Sequence, residues 1–179
     1  MSAADITKQA IIQSTKQLAS EKPFQKISVI EISRHCGINR NTFYYYFSDK
    51  YDVIQSIFDR EVLPVLQAQL SRRSLAESVT ALCTHLKTER CFYSRILEDN
   101  SHRCFRELLV QYYTQFLIDM ASAHFEEHNM EWVHQEIAAR FYAHGTVGMI
   151  CDWAAGNMKM DSAFATSIIQ LSAREKFFV

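Results

Sequence analysis

The twenty residues from Ser28 to Phe47 constrain this chain more than any other stretch. Ser28, with Glu31 three residues on, opens the run Val29-Ile30-Glu31-Ile32, which is the pattern of a capping box. Read as a helix, Val29, Ile32 and Cys36 fall at i, i+3 and i+7 and make one apolar stripe. Gly37 follows, where a left-handed backbone costs glycine little. A second short helix starts near Asn39. Two short helices joined at a glycine turn make a helix-turn-helix, whose second helix enters the major groove of DNA.

That second helix divides by face. Ile38, Phe43 and Phe47 turn inward, the two phenylalanines at i, i+4. Arg40, Asn41, Thr42, Tyr44, Tyr45 and Tyr46 are left outward. Arginine forks onto guanine, asparagine onto adenine, and threonine offers a methyl to thymine. Tyrosine hydroxyls suit phosphate oxygens. Arg40 to Tyr46 spans roughly 9 Å of helix, within a major groove about 12 Å wide. The alternative is a surface helix with an aromatic patch. Three adjacent tyrosines beside Arg and Asn argue against it.

Composition sets the fold class. Only four glycines and two prolines occur in 179 residues, and 48% of the chain is apolar. Such a chain is expected to be all-α, with about nine helices and a substantial core. No apolar run reaches the roughly 20 residues of a membrane span. The start, MSAADITKQA, has no signal-peptide apolar region, so a cytoplasmic protein without membrane contact is expected. Five cysteines without CxxC spacing read as thiols, mostly buried; a redox role for Cys83, Cys91 or Cys104 is the alternative.

Net charge is −1 and gives no advertisement of nucleic-acid binding. Residues 1–60 carry eight Lys/Arg against six Asp/Glu, and residues 61–179 eleven against fourteen. DNA affinity therefore has to come from local placement of Lys8, Lys26, Arg40 and Lys50.

From Ile6 to Phe58 the chain resembles the TetR family of bacterial transcription regulators, most closely over ISVIEISRHCGINRNTFYYYFSDKYDVI. The family's Thr or Ser opening helix 2 is matched by Ser28. Its Ile and small residue are matched by Ile32-Ser33, its glycine turn by Gly37, and its aromatic ending by Tyr44-Tyr45 and Phe47. Lys50 matches the lysine that starts helix 4. Departures are Cys36 for Ala, Asn41 for a frequent Gly, Phe43 for Leu and Tyr46 for His; Tyr46 would make a neutral phosphate contact.

Along the chain, helix 1 is expected from about Asp5 to Ser20, capped by Asp5, with Ile6, Ala10, Ile11, Ser14 and Leu18 inward. Pro23 breaks the chain, and Phe24 and Ile27 tuck under the head. Ser48-Asp49 caps helix 4, whose apolar face is Tyr51, Ile54, Ile57, Phe58 and Val62, with Pro64 to kink or end it. Lys50 is poorly placed for the helix dipole, so stability does not explain it, whereas the phosphate contact implied by the resemblance does. Further helices are expected over 74–87, 91–98, 101–127, 129–157 and 161–174. Residues 1–50 form a DNA-binding head and 51–179 a regulatory and dimerisation body, with helix 4 (49–70) as connector.

The resemblance implies a homodimeric regulator, a repressor, on near-palindromic double-stranded DNA. Arg40, Asn41, Thr42 and Tyr44 would read bases, and Ser28, Tyr45, Tyr46 and Lys50 would hold phosphates. The last two helices would pair across a two-fold axis through Phe141, Gly145, Gly148, Asp152, Phe164, Ile168 and Leu171; packing within one subunit is the alternative use of the small residues. A small-molecule or protein effector would meet the body, with Phe92, Tyr93, His102, Phe105, Tyr113, Phe116, Tyr142 and Trp153 as candidate lining. The competing reading of that aromatic set is ordinary core. His124 and His128 stand at i, i+4 with His134 near, and Glu127 and Glu131 could supply carboxylates, but no HExxH or paired CxxC occurs and the polar segment reads as a solvated surface, so no metal and no cofactor are expected. GxSxG, P-loop and GxGxxG motifs are absent, so an enzyme is not expected. An activator, or a protein-interaction module of the same fold, is the alternative function.

Overall fold

The computed structural model describes residues 2–70, 74–99, 105–125, 132–156 and 158–159, with side chains left out at 121–125 and 132–134. All regular structure among the described residues is helical. Helix α1 (Ala3–Glu21) begins at Ser2, whose hydroxyl accepts from the Asp5 N–H at 3.2 Å while the Asp5 carboxylate accepts from the Ser2 N–H at 3.0 Å. The cap is therefore Ser2 and not Asp5. The expected inward stripe also starts too early: Ile6 is 56% exposed and Ala10 is exposed. The first two turns of α1 bury nothing, and Ile11, Ile12, Thr15 and Ala19 make the packed face.

Pro23 leads into a 3-10 turn, Phe24–Lys26, which sets Phe24 and Ile27 in the core. Helix α2 (Val29–Cys36) carries the capping box at Ser28 and Glu31. Gly37 then takes φ 73°, a left-handed conformation a side chain would strain. There the Ile38 N–H closes the turn onto the Ser33 carbonyl at 3.0 Å. Helix α3 (Arg40–Tyr46) is followed at once by α4 (Lys50–Ile57), capped by Asp49, whose Oδ1 accepts from the Tyr51 and Asp52 N–H groups.

Pro64 does not end this connector. The helix widens into a π turn over Phe58–Val62, with the Leu63 N–H bonded to the Phe58 carbonyl, and continues as α5 (Leu63–Gln67). Proline removes one N–H and crowds the carbonyl four residues back, and a wider turn just ahead of it relieves both.

The body holds α6 (Leu75–Thr88), α7 (Arg90–Leu97), α8 (Phe105–Phe125) and α9 (Trp132–Ala155). Ser74 caps α6, accepting from the Glu77 N–H. Helix α1 packs on α7, and α8 packs along α9. The helix expected over 161–174 lies outside the described residues, with Phe164, Ile168 and Leu171; so does His102.

One apolar core runs from head to body. Ile11, Ile32, Phe43 and Phe47 continue through Ile54, Ile57, Phe58 and Val62 on the connector to Leu82, Phe92, Tyr93 and Phe105. The rings of Tyr93 and Phe105 lie 5.6 Å apart, as do those of Phe58 and Phe105, while Phe92 and Tyr93 lie 4.9 Å apart. Edge-to-face contacts of this kind add to the burial of each ring. Of the expected effector-lining residues, Phe92, Tyr93, Phe105, Tyr113 and Phe116 are all buried in this cluster. A ligand among them has to displace that packing. Trp153 is also buried, and Tyr142 is half-buried.

Candidate nucleic-acid interface

Recognition helix α3 is anchored from behind and open in front. Phe43 is 0% and Phe47 5% exposed, with their rings 5.9 Å apart. That spacing leaves Arg40, Asn41, Tyr44 and Tyr45 on the solvent side, Tyr45 at 81% exposure. Thr42 and Tyr46 are half-buried, and the Tyr46 ring meets the Tyr45 ring edge-on at 4.9 Å. The N-terminus of α3 is tied down by Asn39, whose Oδ1 accepts from the Thr42 N–H at 2.8 Å and the Thr42 hydroxyl at 3.1 Å. With its hydroxyl committed, Thr42 has its methyl left to offer a base.

Arg40 is already oriented. Its Nη2 donates to the Tyr44 hydroxyl at 3.2 Å, and its guanidinium carbon lies 5.3 Å from the Tyr44 ring centroid. The two residues are one helical turn apart, so the pairing follows from i, i+4 spacing. A planar fork stacked on a ring loses less side-chain freedom on meeting a base edge.

The four expected phosphate residues differ in how free they are. Tyr45 presents its ring at the outer end of α3, whereas Tyr46 is half-buried and packs against the core. Ser28 is exposed, but its hydroxyl donates to Glu31 Oε2 at 3.1 Å. The Glu31 carboxylate is held down to about 2 by the Lys22 ammonium and by the Ser28 N–H and hydroxyl. Lys22 thereby offsets a negative charge beside the expected phosphate path.

Lys50 is the residue that departs from its sequence reading. Its Nζ donates to the carbonyls of Phe24 at 2.9 Å, Gln25 at 3.0 Å and Ile27 at 2.9 Å. An ammonium has three donors, and all three are used. The start of α4 is a poor place for a cation by helix dipole, but three carbonyl dipoles outweigh that, so stability does account for Lys50, beside the phosphate contact that the resemblance implies.

Sequence reasoning also missed a buried polar cluster behind the head. Lys16, on α1, donates to Glu61 at 2.8 Å and to Glu89 at 2.5 Å. The Tyr93 hydroxyl donates to Glu61 Oε2 at 3.2 Å, and His85 Nε2 lies 3.2 Å from that hydroxyl. Because the hydroxyl proton goes to the carboxylate, His85 must donate from Nε2. Burial pulls the His85 pKa below its ordinary value, while Glu61 opposes the shift.

Burial pushes the Cys83 thiol up to about 12, which disfavours the thiolate a redox role needs. Cys91 is exposed and Cys104 lies outside the described residues. Among the described residues no group of three or more His, Cys, Asp or Glu could hold a metal ion, and no helix is long and apolar enough to cross a membrane. The side chains of His124, His128 and His134 lie outside the described set.

Comparison with known proteins agrees with this geometry. Residues 11–57 match the family model described as bacterial regulatory proteins, tetR family, and residues 73–174 match a transcriptional regulator C-terminal region. The HTH-type transcriptional regulator EthR of Mycobacterium tuberculosis is 36% identical over 69 residues, 38% of this chain and 31% of EthR. The transcriptional activator DhaS of the dhaKLM operon in Lactococcus lactis is 25% identical over 91 residues, 51% of this chain and 49% of DhaS. The chain thus spans half or less of the curated relatives it matches. Among solved structures, native NalD, a repressor of a multidrug efflux pump in Pseudomonas aeruginosa, superposes with a TM-score of 0.68 at 19% identity, covering 97% of this chain and 96% of NalD. A DhaS structure gives a TM-score of 0.64 at 18% identity, covering 95% and 96%. With one family model over the helix-turn-helix, another over more than half the chain, and the same all-helical fold, this protein belongs to the TetR family of transcriptional regulators.

Proposed function

We propose that this protein is a cytoplasmic, ligand-responsive repressor that binds a near-palindromic operator as a homodimer. The observation that carries the reading is the solvent-facing row Arg40, Asn41 and Tyr44 on a helix clamped from behind by Phe43 and Phe47. Arg40, Asn41, Thr42 and Tyr44 would read bases, and Ser28, Tyr45, Tyr46 and Lys50 would meet phosphates. Two such helices, one per subunit, would enter successive major grooves roughly 34 Å apart.

The opposite faces of α9 support the dimer. Ala139, Ala143, Val147, Ile150 and Ala154 are buried within the subunit. Ile137 (62% exposed), Phe141 (74% exposed), Gly145, Gly148 and Asp152 run down the other side. A Cβ added at Gly145 or Gly148 meets nothing within 4 Å among the described residues, which leaves this face room for a helix to approach closely. A second copy across a two-fold axis would cover the exposed apolar positions.

A small molecule or a protein acting on the body would shift the head by binding one arrangement better than the other. Function by binding alone, without catalysis or cofactor, fits this scheme. The relatives include both an activator, DhaS, and a repressor, BepR of Brucella suis. The sign of regulation depends on where the operator lies relative to its promoter. Sequence selection from random duplexes at moderate salt tests the reading: enrichment of an inverted repeat supports it, and recovery without any common sequence rejects it.

A further inference from the structure

We propose that α7 is a strut that sets the spacing of the operator half-sites, and that Lys16 and Gln25, which fix the head to its two ends, determine that spacing without touching DNA. The inference rests on the reading above of a homodimer on an inverted repeat. Helix α7 packs both on α1 of the head and on α9, the proposed dimer helix. Each end of it carries a polar joint to the head. At its start, the N-cap residue Glu89 accepts from Lys16 Nζ at 2.5 Å, and the same ammonium reaches Glu61 of the connector at 2.8 Å. At its finish, Asp99, the residue after the C-cap Glu98, accepts at Oδ1 from Gln25 Nε2 at 3.1 Å. Glu89 and Asp99 are ten residues apart, roughly 15 Å of helix.

Two separated joints do what one cannot. A single contact leaves the head free to turn about it, whereas contacts at both ends of α7 fix its angle. Each joint has one buried member: Lys16 is 4% exposed and Asp99 5%. The Lys16 ammonium also lies 5.7 Å from the Phe92 ring centroid. Asp99 is itself held to the helix, its N–H bonded to the Ile96 carbonyl at 3.2 Å. Between the joints, Phe92, Tyr93, Ile96 and Leu97 belong to the core shared by head and body. Apolar faces can slide, and apolar replacements of buried ion pairs are often no less stable, so what the directional bonds add is register. The angle matters because each base pair added between half-sites moves the second by about 3.4 Å and turns it by about 35°. Heads held at one angle meet one spacing; heads that swing meet several.

The test uses Lys16→Met/Glu61→Leu, which removes the first joint together with a counter-charge, and Gln25→Ala, which removes the second. Duplexes carry the half-site that the wild-type protein selects, alone or as inverted pairs at spacings stepped by one base pair. A wrong spacing can be met only by twisting or bending the duplex, so wild type should prefer one spacing about tenfold over its neighbours. Each variant should bind those neighbours within about threefold of that spacing, with affinity for the lone half-site unchanged. A profile as sharp as wild type's in either variant overturns the two-ended joint. Loss on the lone half-site as large as at every spacing marks damage to the head itself and also overturns it. A measurement without DNA is separate. Spin labels on unnatural amino acids at exposed Gln17 of α1 and Thr80 of α6, diluted with unlabelled protein, should report one narrow head-to-body distance in wild type and a broader spread in each variant. An equally narrow distance in either variant rejects the strut. If the wild-type protein selects no inverted repeat, the functional reading fails and the label distances alone decide whether α7 fixes the head.

Discussion

Lys16 Nζ and Glu61 Oε2 lie 2.8 Å apart, joining α1 of the DNA-binding head to the π turn of the connector. The lysine side chain is 4% exposed and the glutamate 23%, so the pair stands largely out of water. Glu89, 44% exposed, reaches the same ammonium from the junction of α6 and α7. Lys16→Met leaves two carboxylates near a desolvated site without their cation. Removing one partner of a buried pair costs about 3–5 kcal/mol, and the access of Glu61 and Glu89 to solvent reduces this to about 1–3 kcal/mol. The double variant Lys16→Met with Glu61→Leu should recover most of the loss, since apolar replacements of buried pairs are often neutral. Denaturant titration of the two single variants and the double variant measures the coupling. Simple additivity would show that the pair does not act as a unit.

Acid should loosen the same cluster through His85. Its imidazole faces Tyr93, Glu61, Lys16 and Glu89, and burial lowers its pKa from the ordinary 6.5. As pH falls below about 6.5 the unfolded chain takes up this proton first, so it binds more protons than the folded one. The stability supplied by neutral His85 is therefore full above 6.5 and is lost on acidification. Thermal melts at neutral and mildly acidic pH should show a larger drop for wild type than for His85→Gln. Identical drops would remove His85 from the account.

Arg40 and Tyr44 separate reading from preparation. Arg40→Ala should relax base preference at one operator position, at about 1–3 kcal/mol. Tyr44→Phe keeps the ring under the guanidinium and loses only the hydroxyl acceptor. A few-fold loss of affinity with unchanged base preference is expected if the hydroxyl merely orients Arg40. Base selection on each variant decides, and an Arg40→Ala protein with wild-type preferences would remove Arg40 from the reading set.

The helices of the head were legible because their signals are local. The Ser28–Glu31 box, the Gly37 turn and the Phe43–Phe47 pair each span at most five residues, and each forms as the spacing predicts. Local spacing says nothing of where a helix leaves its neighbours, so the stripe in α1 was extended to Ile6 and Ala10, beyond the packed face. The polar clusters were invisible for a related reason. Lys50 meets partners 23 to 26 residues upstream, and Lys16 meets partners 45 and 73 residues downstream. Only the folded arrangement of α1, the connector and α7 brings those groups together. The glycines of α9 were legible as exceptional for a helix, but not as lying on the side away from its buried stripe.

Those glycines give a test of the dimer in which the two readings predict opposite signs. Mid-helix glycine costs about 1 kcal/mol against alanine, and Gly145 and Gly148 have open space where a Cβ would stand. In a lone subunit, Gly148→Ala should therefore raise the melting temperature. If a second copy packs its α9 closely against this face, the added methyl instead holds the helices apart and weakens association. Phe141→Glu serves as the companion variant, since Phe141 is 74% exposed and its replacement disturbs no subunit core. Sedimentation across a concentration series should give a dimer for the wild-type protein and monomer for F141E. Gly148→Ala should dissociate at higher concentration than wild type while melting no lower as a monomer. A dimer untouched by both substitutions would move the two-fold axis off this face of α9.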